Sequence, residues 1–464
     1  MKIKLKKLYC NNKWHKPNSR KIFTHKTFNG VDIEIPNANK VDVTNSIASA
    51  LSAQENFNNT SGKKKSEILN KISNLIRLNA DQLAKKEVLE LGKNFIDAKN
   101  EIISCAKLWR HASQELKKNN STIIKKNRFK LYEGLEPVGL VALIIPWNFP
   151  MLVLSERLPY ILAAGNTVVI KSSEHGSLSI ENFIRLIKKA GIPSGVINFI
   201  TGDYKTGREI ISNKSIKMIS FTGSTKTGKE IYKSASKSIK RLSLELGGKN
   251  PMIVFLDAEL KNTIDDVVFS FTHNAGQCCV AGSKLFIHKK IFEIFIKKTK
   301  NKLDSFTNFQ STATHNQYKK IKKIILQSLK KRIPILYRSK KLFDDKKRII
   351  YPIIFMPNKK VSFLEEEIFG PVLCVYQFDN EKKLIKKIND TSYGLSALIW
   401  TKNTKKAISF ASSIKFGRIW INGNISQNFP EISIGGFNES GLARETGISG
   451  IKTYSEIKSI VINR

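Results

Sequence analysis

From Val138 onward the chain alternates short, unbroken β-branched runs with stretches of helical periodicity, and this alternation restricts its fold more than any other feature. VGLVALII is followed by a helical stretch through the 150s, TVVI at 167–170 by another through the 180s, and VINFI at 196–200 and MISF at 218–221 continue the series. A strand with one face in water alternates apolar and polar residues. A strand that is apolar throughout is covered on both faces, and helical connections between such strands make them parallel. The pattern therefore predicts a doubly wound α/β domain. A second α/β series, PMIVF, SKLFI, PVLCVY, SALIW and GRIWIN, begins at Pro251. The glycine-bearing turn LELGGKNP separates the two and marks a domain boundary.

The first third reads as helices under a polar covering, with Ile68, Leu69, Ile72, Leu75 and Ile76 returning at three- and four-residue intervals. Between Ser121 and Val138 the texture becomes strand-like, with basic residues interleaved. A hydrophobic content of 41% excludes a disordered chain, while the net charge of +41 raises polyanions as partners. Against that, the cations are 65 Lys and only 14 Arg, and specific phosphate or base readout leans on arginine forks. Dispersed Lys among Ile and Asn reads as compositional drift, so no nucleic-acid partner is expected. The Lys-dense segment 315–350 reads as a solvated helix ending at Pro334, because Ile321, Ile324, Ile325 and Leu329 give it an apolar stripe. Five irregularly spaced cysteines offer neither a disulfide framework nor paired metal ligands. The basic start lacks a signal-like apolar run, and the apolar stretch 138–154 is broken by Pro146, Asn148 and Pro150. A soluble cytoplasmic protein with no membrane partner and no metal is expected.

Five segments carry chemistry. HNAGQCCVAGS, residues 273–283, sets the adjacent Cys278 and Cys279 among small residues before a strand. That setting suits a nucleophilic thiol, which needs room and backbone N–H groups for an oxyanion, and equally suits two buried structural thiols. In LELGGKNP, Glu245 ends an apolar run against Gly247 and Gly248; a carboxylate so placed has a raised pKa and can activate water. IPWNFP, with Ile145, Pro146, Trp147, Asn148 and Phe149, follows the first strand of the doubly wound unit, where ligands collect, and an amide such as Asn148 can donate to an oxyanion. VVIKSSE presents Lys171 and Glu174 at a strand end, the acid suited to a ribose diol. FTGSTKTG places Gly223, Ser224 and Gly228 between a strand and a helix, where free N–H groups attract pyrophosphate.

Taken in order, IPWNFP, VVIKSSE, FTGSTKTG, LELGGKNP, GQCCVAGS and EEEIFGPV resemble the landmarks of the aldehyde dehydrogenase superfamily from about residue 30 to 460. The resemblance implies an NAD-binding domain (1–116 and 138–246), a catalytic domain (247–447) and a small β oligomerisation element (117–137 and 448–464) that builds a homodimer or homotetramer. It selects Cys279 over Cys278 as nucleophile, with Asn148 and the Cys279 N–H as oxyanion hole and Glu245 as general base. It assigns Ile145, Pro146, Trp147, Lys171, Glu174, Gly223, Ser224, Gly228, Leu246, Glu367 and Phe369 to the cofactor, the last two steadying the nicotinamide ribose. The charge of Glu174 would repel a 2′-phosphate, which favours NAD over NADP.

For the aldehyde, the resemblance points to Phe149, Glu156, Cys278, Trp420 and Ile434. Glu156 stands where many relatives carry tryptophan; facing inward it would favour a cationic aldehyde such as betaine aldehyde, whereas pairing with Arg157 would leave substrate undefined. Ser172, Lys284 and Ile434 depart from the family's usual residues at their positions. Two alternatives stand beside aldehyde oxidation to the acid: transfer of the thioester to CoA, opposed by Glu245, and a basic binding protein on a decayed dehydrogenase fold, opposed by Cys279, Glu245 and Asn148.

Overall fold

The computed structural model describes residues 2–5, 7–118 and 122–463; the parts of the ranges above that fall on 1, 6, 119–121 and 464 lie outside them. Two large sheets organise the chain. In the first, of eight strands, Arg241–Glu245, Met218–Thr222, Leu140–Ile144, Thr167–Lys171 and Ile197–Ile200 lie side by side and parallel. Leu140–Ile144 is at the centre, with helices on both faces, because its residues are buried throughout or nearly so and have no solvent side. The second sheet has seven strands, in the order Ile335–Arg338, Ile353–Phe355, Val372–Phe378, Gly282–His288, Asn250–Val254, Ser396–Trp400 and Arg418–Ile421, parallel except for the first.

The beginning of the chain corrects the helical expectation. Lys2–Lys4, Leu8–Cys10, Lys13–His15, Ile22–Lys26 and Asp32–Pro36 are strands, and helices begin only at Lys40. Segments of three to five residues are too short to show a period; they are strands because existing edges accept them, as Ile197–Ile200 accepts Leu8–Cys10. The expected helix through the 150s is two short ones, Pro150–Ser155 and Leu158–Ala163, with Glu156 and Arg157 at the break. Pro159 fits the first turn of the second helix but could not continue the first. The Lys-dense segment is helical over His315–Lys330, and its Ile321 and Ile325 are buried.

Register places the chemistry-bearing residues at one edge of the first sheet. Ile144 is level with Lys171 and Phe221, and Thr222 with Glu245, so the segments that follow these strands emerge together. A separate three-stranded sheet pairs Ser455–Asn463 with Phe129–Pro137 and the latter with Thr122–Lys126. Its apolar residues Ile123, Ile124, Ile457, Ile460 and Val461 are all exposed. No helix among the described residues is long and apolar enough to cross a membrane.

Tyr454 ties the C-terminal segment to the first sheet. Its ring is fully buried, its hydroxyl shares a 3.0 Å hydrogen bond with Ser220 and donates to Glu445, and its carbonyl accepts from Asn166. Tyr454→Phe should therefore cost about 1–3 kcal/mol, the penalty of leaving buried polar partners unsatisfied, and lower the melting temperature in a thermal-unfolding experiment.

Candidate active site

The helix Leu260–Thr272 ends before a tight turn in which Asn274, Ala275 and Gly276 are successively left-handed, with φ of 50°, 55° and 69°. Ala275 has no intrinsic preference for that region, so surrounding contacts must impose it. The contacts are amides. Asn148 Nδ2 donates to the Gln277 carbonyl at 3.1 Å, Asn274 Nδ2 donates to the Asn148 carbonyl at 3.2 Å, and Gln277 Oε1 accepts from the Ala313 N–H at 2.9 Å. The turn delivers two cysteines into different surroundings: Cys278 is buried in the main core, whereas Cys279 is partly accessible. Asn250 Nδ2 fixes the Cys279 carbonyl at 2.7 Å. A Cβ on Gly248 would lie 2.8 Å from that oxygen, so only glycine permits this approach.

The Cys279 thiol is held well above its ordinary pKa by its hydrogen bond with Cys278, by burial, and by the nearby carboxylates Glu156 and Glu245. Glu245 leaves the strand Arg241–Glu245 buried, with no hydrogen-bond partner for Oε1 among the described residues. Burial pushes its pKa up to about 8, with Arg157 pulling it down and Glu445 raising it. This is the setting of a carboxylate that is neutral at rest and basic when it ionises.

Glu156 is buried and accepts from Arg157 Nη1 at 3.2 Å. This is the pairing under which it gives no reason to favour a cationic aldehyde. On its other side Arg157 Nε lies 3.9 Å from Glu445, a fully buried carboxylate that also accepts from Ser243 and Tyr454. Burial opposes the Arg157 charge, but Glu445 and Glu156 outweigh it and raise its pKa. Glu445 escaped the sequence reading. Its only signal was one acid in GLARETG, with no spacing to link it to a strand about 200 residues earlier.

A cavity of about 800 Å³ opens beyond the first sheet, lined by Ile145, Pro146, Trp147, Lys171, Glu174, Gly223 and Ser224 among others. Lys171 Nζ and Glu174 Oε2 stand 3.9 Å apart on its wall. Ser224 caps the helix Thr225–Ala235 by accepting from the Thr227 N–H, and the buried Thr222 hydroxyl beside it has no partner among the described residues. A helix N-terminus, a free hydroxyl, a lysine and a ribose-directed acid form a donor set that fits a dinucleotide. Gly228 and Leu246, expected to contact the cofactor, are not in this wall. They pack against each other behind it, where a Cβ on Gly228 would fall 2.5 Å from Leu246 Cδ2.

Glu367 bridges the two sheets' segments by accepting from the Gly248 N–H at 3.0 Å, and Phe369, with φ of 59°, meets Trp147 edge-on at 5.7 Å. Phe149 is buried beside Asn148 and stacks on His273 at 6.0 Å. Trp420 is buried and donates to the Gln427 carbonyl, whereas Ile434 makes a two-bond bridge with Glu445. The structure thus gathers Asn148, Glu245, Cys278, Cys279 and Glu156 around one centre, while Trp420 and Ile434 belong to the segment that packs beside it.

The aldehyde dehydrogenase family model matches residues 14–460. Aldehyde dehydrogenase NAD(P)+ 1 of Saccharomyces cerevisiae is 36% identical over 451 residues, covering 92% of this chain and 88% of its own length. Aldehyde dehydrogenase 1A1 of Oryctolagus cuniculus is 34% identical over 483 residues, covering 100% and 97%. Among solved structures, an NAD-dependent aldehyde dehydrogenase from Sinorhizobium meliloti superimposes with a TM-score of 0.95 at 30% identity, covering 100% of this chain and 95% of its own. An NAD+ complex of aldehyde dehydrogenase from Bacillus cereus gives 0.94 at 30% identity, covering 98% and 96%.

The unequal exposure of the adjacent thiols is directly measurable. Alkylation with iodoacetamide, mapped by tandem mass spectrometry, should modify Cys279 roughly tenfold or more faster than Cys278, because the reagent reaches only the more accessible thiol.

Proposed function

The chain belongs to the aldehyde dehydrogenase family, whose members oxidise aldehydes to acids with NAD(P), and on that premise we propose that it does so with NAD through a covalent intermediate on Cys279. One observation carries this reading. A partly accessible thiol, a fixed amide at Asn148 and a buried carboxylate at Glu245 whose Oε1 has no hydrogen-bond partner among the described residues converge on a single turn.

The Cys279 thiol releases its proton to water, and its sulfur adds to the aldehyde carbon. The resulting oxyanion lies within reach of the second N–H of the Asn148 amide, the first being held by Gln277, and of the Cys279 backbone N–H. When bound, NAD supplies the hydride acceptor that turns the adduct into a thioester. Trp147, Phe369 and Glu367 orient that cofactor, Ser224 and the helix start hold its phosphates, and Lys171 and Glu174 hold the adenosine ribose. Glu245 then takes a proton from water, whose oxygen attacks the thioester carbon; the acid leaves and the Cys279 thiol is restored. Arg157 and Glu445 set how readily Glu245 ionises.

The proposal includes the division into an NAD-binding unit, a catalytic unit and an oligomerisation element. The exposed apolar strands at 122–137 and 455–463 are a liability that pairing between subunits removes, which supports a homodimer or homotetramer.

Cys279→Ala should abolish NADH production; full steady-state activity in that variant would overturn the mechanism. Glu245→Gln should retain a stoichiometric burst of NADH in stopped-flow absorbance but turn over roughly a hundredfold or more slowly, the scale of losing a general base. Because the base works only when ionised and burial lifts its pKa to about 8, thioester hydrolysis should rise with pH and level off above about 8. That ascending limb should vanish in Glu245→Gln. Glu174→Gln should lower the ratio of kcat/KM with NAD to that with NADP, measured side by side, by removing the charge that repels a 2′-phosphate.

A further inference from the structure

The second sheet ends in a buried guanidinium that has no counter-ion. Arg418 opens the edge strand Arg418–Ile421 and is 8% exposed, yet among the described residues no carboxylate lies within 4 Å of it. Its Nη1 donates to Asn428 Oδ1 at 2.9 Å, its Nη2 to the Ile432 carbonyl at 3.3 Å, and its Nε donates to nothing. Neutral acceptors satisfy part of its hydrogen-bonding capacity, and its charge meets only the Trp420 ring, 5.8 Å from Cζ, in place of a counter-ion. Burying an unpaired ion is costly, which is why buried arginines ordinarily sit against carboxylates, as Arg157 does with Glu156 and Glu445.

Its position gives that imbalance a purpose. Arg418 is the register partner of Ser396, whose hydroxyl donates to the carbonyl of Val280, the residue after Cys279. Its two filled N–H groups hold the segment that runs through Asn428 and Ile432 to Gly435, where a Cβ would lie 3.0 Å from Glu245 Oε1. The charges of Glu156, Glu245 and Cys279 all act on it, partly offsetting the burial that lowers its pKa. Glu156, the carboxylate that would have attracted a cationic aldehyde, is already neutralised by Arg157. Beside this centre, then, Glu156 is paired with Arg157, whereas Arg418 has no carboxylate within salt-bridge distance among the described residues.

We propose that Arg418 is the specificity residue for the aldehyde and that the preferred substrates carry a carboxylate at the end remote from the carbonyl. The inference rests on the aldehyde-oxidising reading and names its substrate class. The substrate carboxylate supplies the missing counter-ion, accepting from Nε and completing a charge-assisted contact, while the guanidinium stays clamped by Asn428 and Ile432 and so is oriented before binding. Arg418 touches no reacting atom; it selects and positions.

The test uses the full-length enzyme with NAD and three aldehydes: 4-oxobutanoate, the uncharged pentanal and the cationic betaine aldehyde. The wild type should favour 4-oxobutanoate over pentanal in kcat/KM by roughly 10- to 100-fold, the worth of a hydrogen bond to a charged group. In Arg418→Gln that ratio should collapse to near unity, chiefly through KM for 4-oxobutanoate, and Arg418→Lys should restore part of it. As a readout independent of turnover, calorimetric binding of succinate to the cofactor-free enzyme should be measurable in the wild type and lost in Arg418→Gln. An Arg418→Gln variant that loses activity equally on 4-oxobutanoate and pentanal would show a clamp for the 422–434 segment alone and overturn the proposal. So would a wild type that is indifferent to the carboxylate or prefers betaine aldehyde. Oxidation of none of the three would instead overturn the aldehyde-oxidising reading, and this inference with it.

Discussion

Asn148 and Asn274 each donate a side-chain hydrogen bond to the other's main-chain neighbourhood, and the working geometry of the molecule depends on that exchange. Asn148 belongs to the segment leaving the first sheet; Asn274 and Gln277 belong to the turn entering the second. Together with the bond from the Ala313 N–H to Gln277, the exchange holds three consecutive left-handed residues, among them an alanine with no preference for that region. The bonds also leave one thiol partly accessible and bury the other in the core. Local strain, inter-sheet alignment and nucleophile presentation are therefore one problem with one solution, built from neutral amides whose geometry does not change with pH.

Much of the fold was legible because strands covered on both faces announce themselves. TVVI, MISF, PMIVF and SALIW have no polar alternation, and each is a central parallel strand. The N-terminal strands were not legible, since three residues such as Lys13–His15 hold no period and are fixed only by the edge that receives them. The residues around the turn could be singled out where chemistry and small neighbours coincide, as at Glu245 and Cys279. The motif suggests cofactor contact for Gly228 and Leu246, and close packing of the helix on the strand places a second demand on the pair, since a Cβ on Gly228 would fall on Leu246.

Charge was the least legible property. A net +41 describes the surface, where lysines are solvated, and says nothing about the few ions that are buried. Those buried ions differ in kind according to their neighbours. Arg157 is bracketed by two carboxylates, Glu156 is spent on Arg157, and Arg418 has an amide, a carbonyl and the Trp420 ring but no carboxylate. Sequence adjacency exposed the first pair. The isolation of Arg418 became visible only when the 422–434 segment was seen folded over it, because an absent partner leaves no trace in a motif.

The raised pKa values of Cys279 and Glu245 have a consequence for entry into the site. Near neutral pH the thiol is protonated and the carboxyl largely so. An arriving carbonyl, itself neutral, meets a floor from which no tightly hydrated ion has to be stripped, so water can be exchanged for substrate at little cost. In these surroundings a carboxylate that does ionise is a stronger base, and a thiolate a stronger nucleophile, than either would be in water.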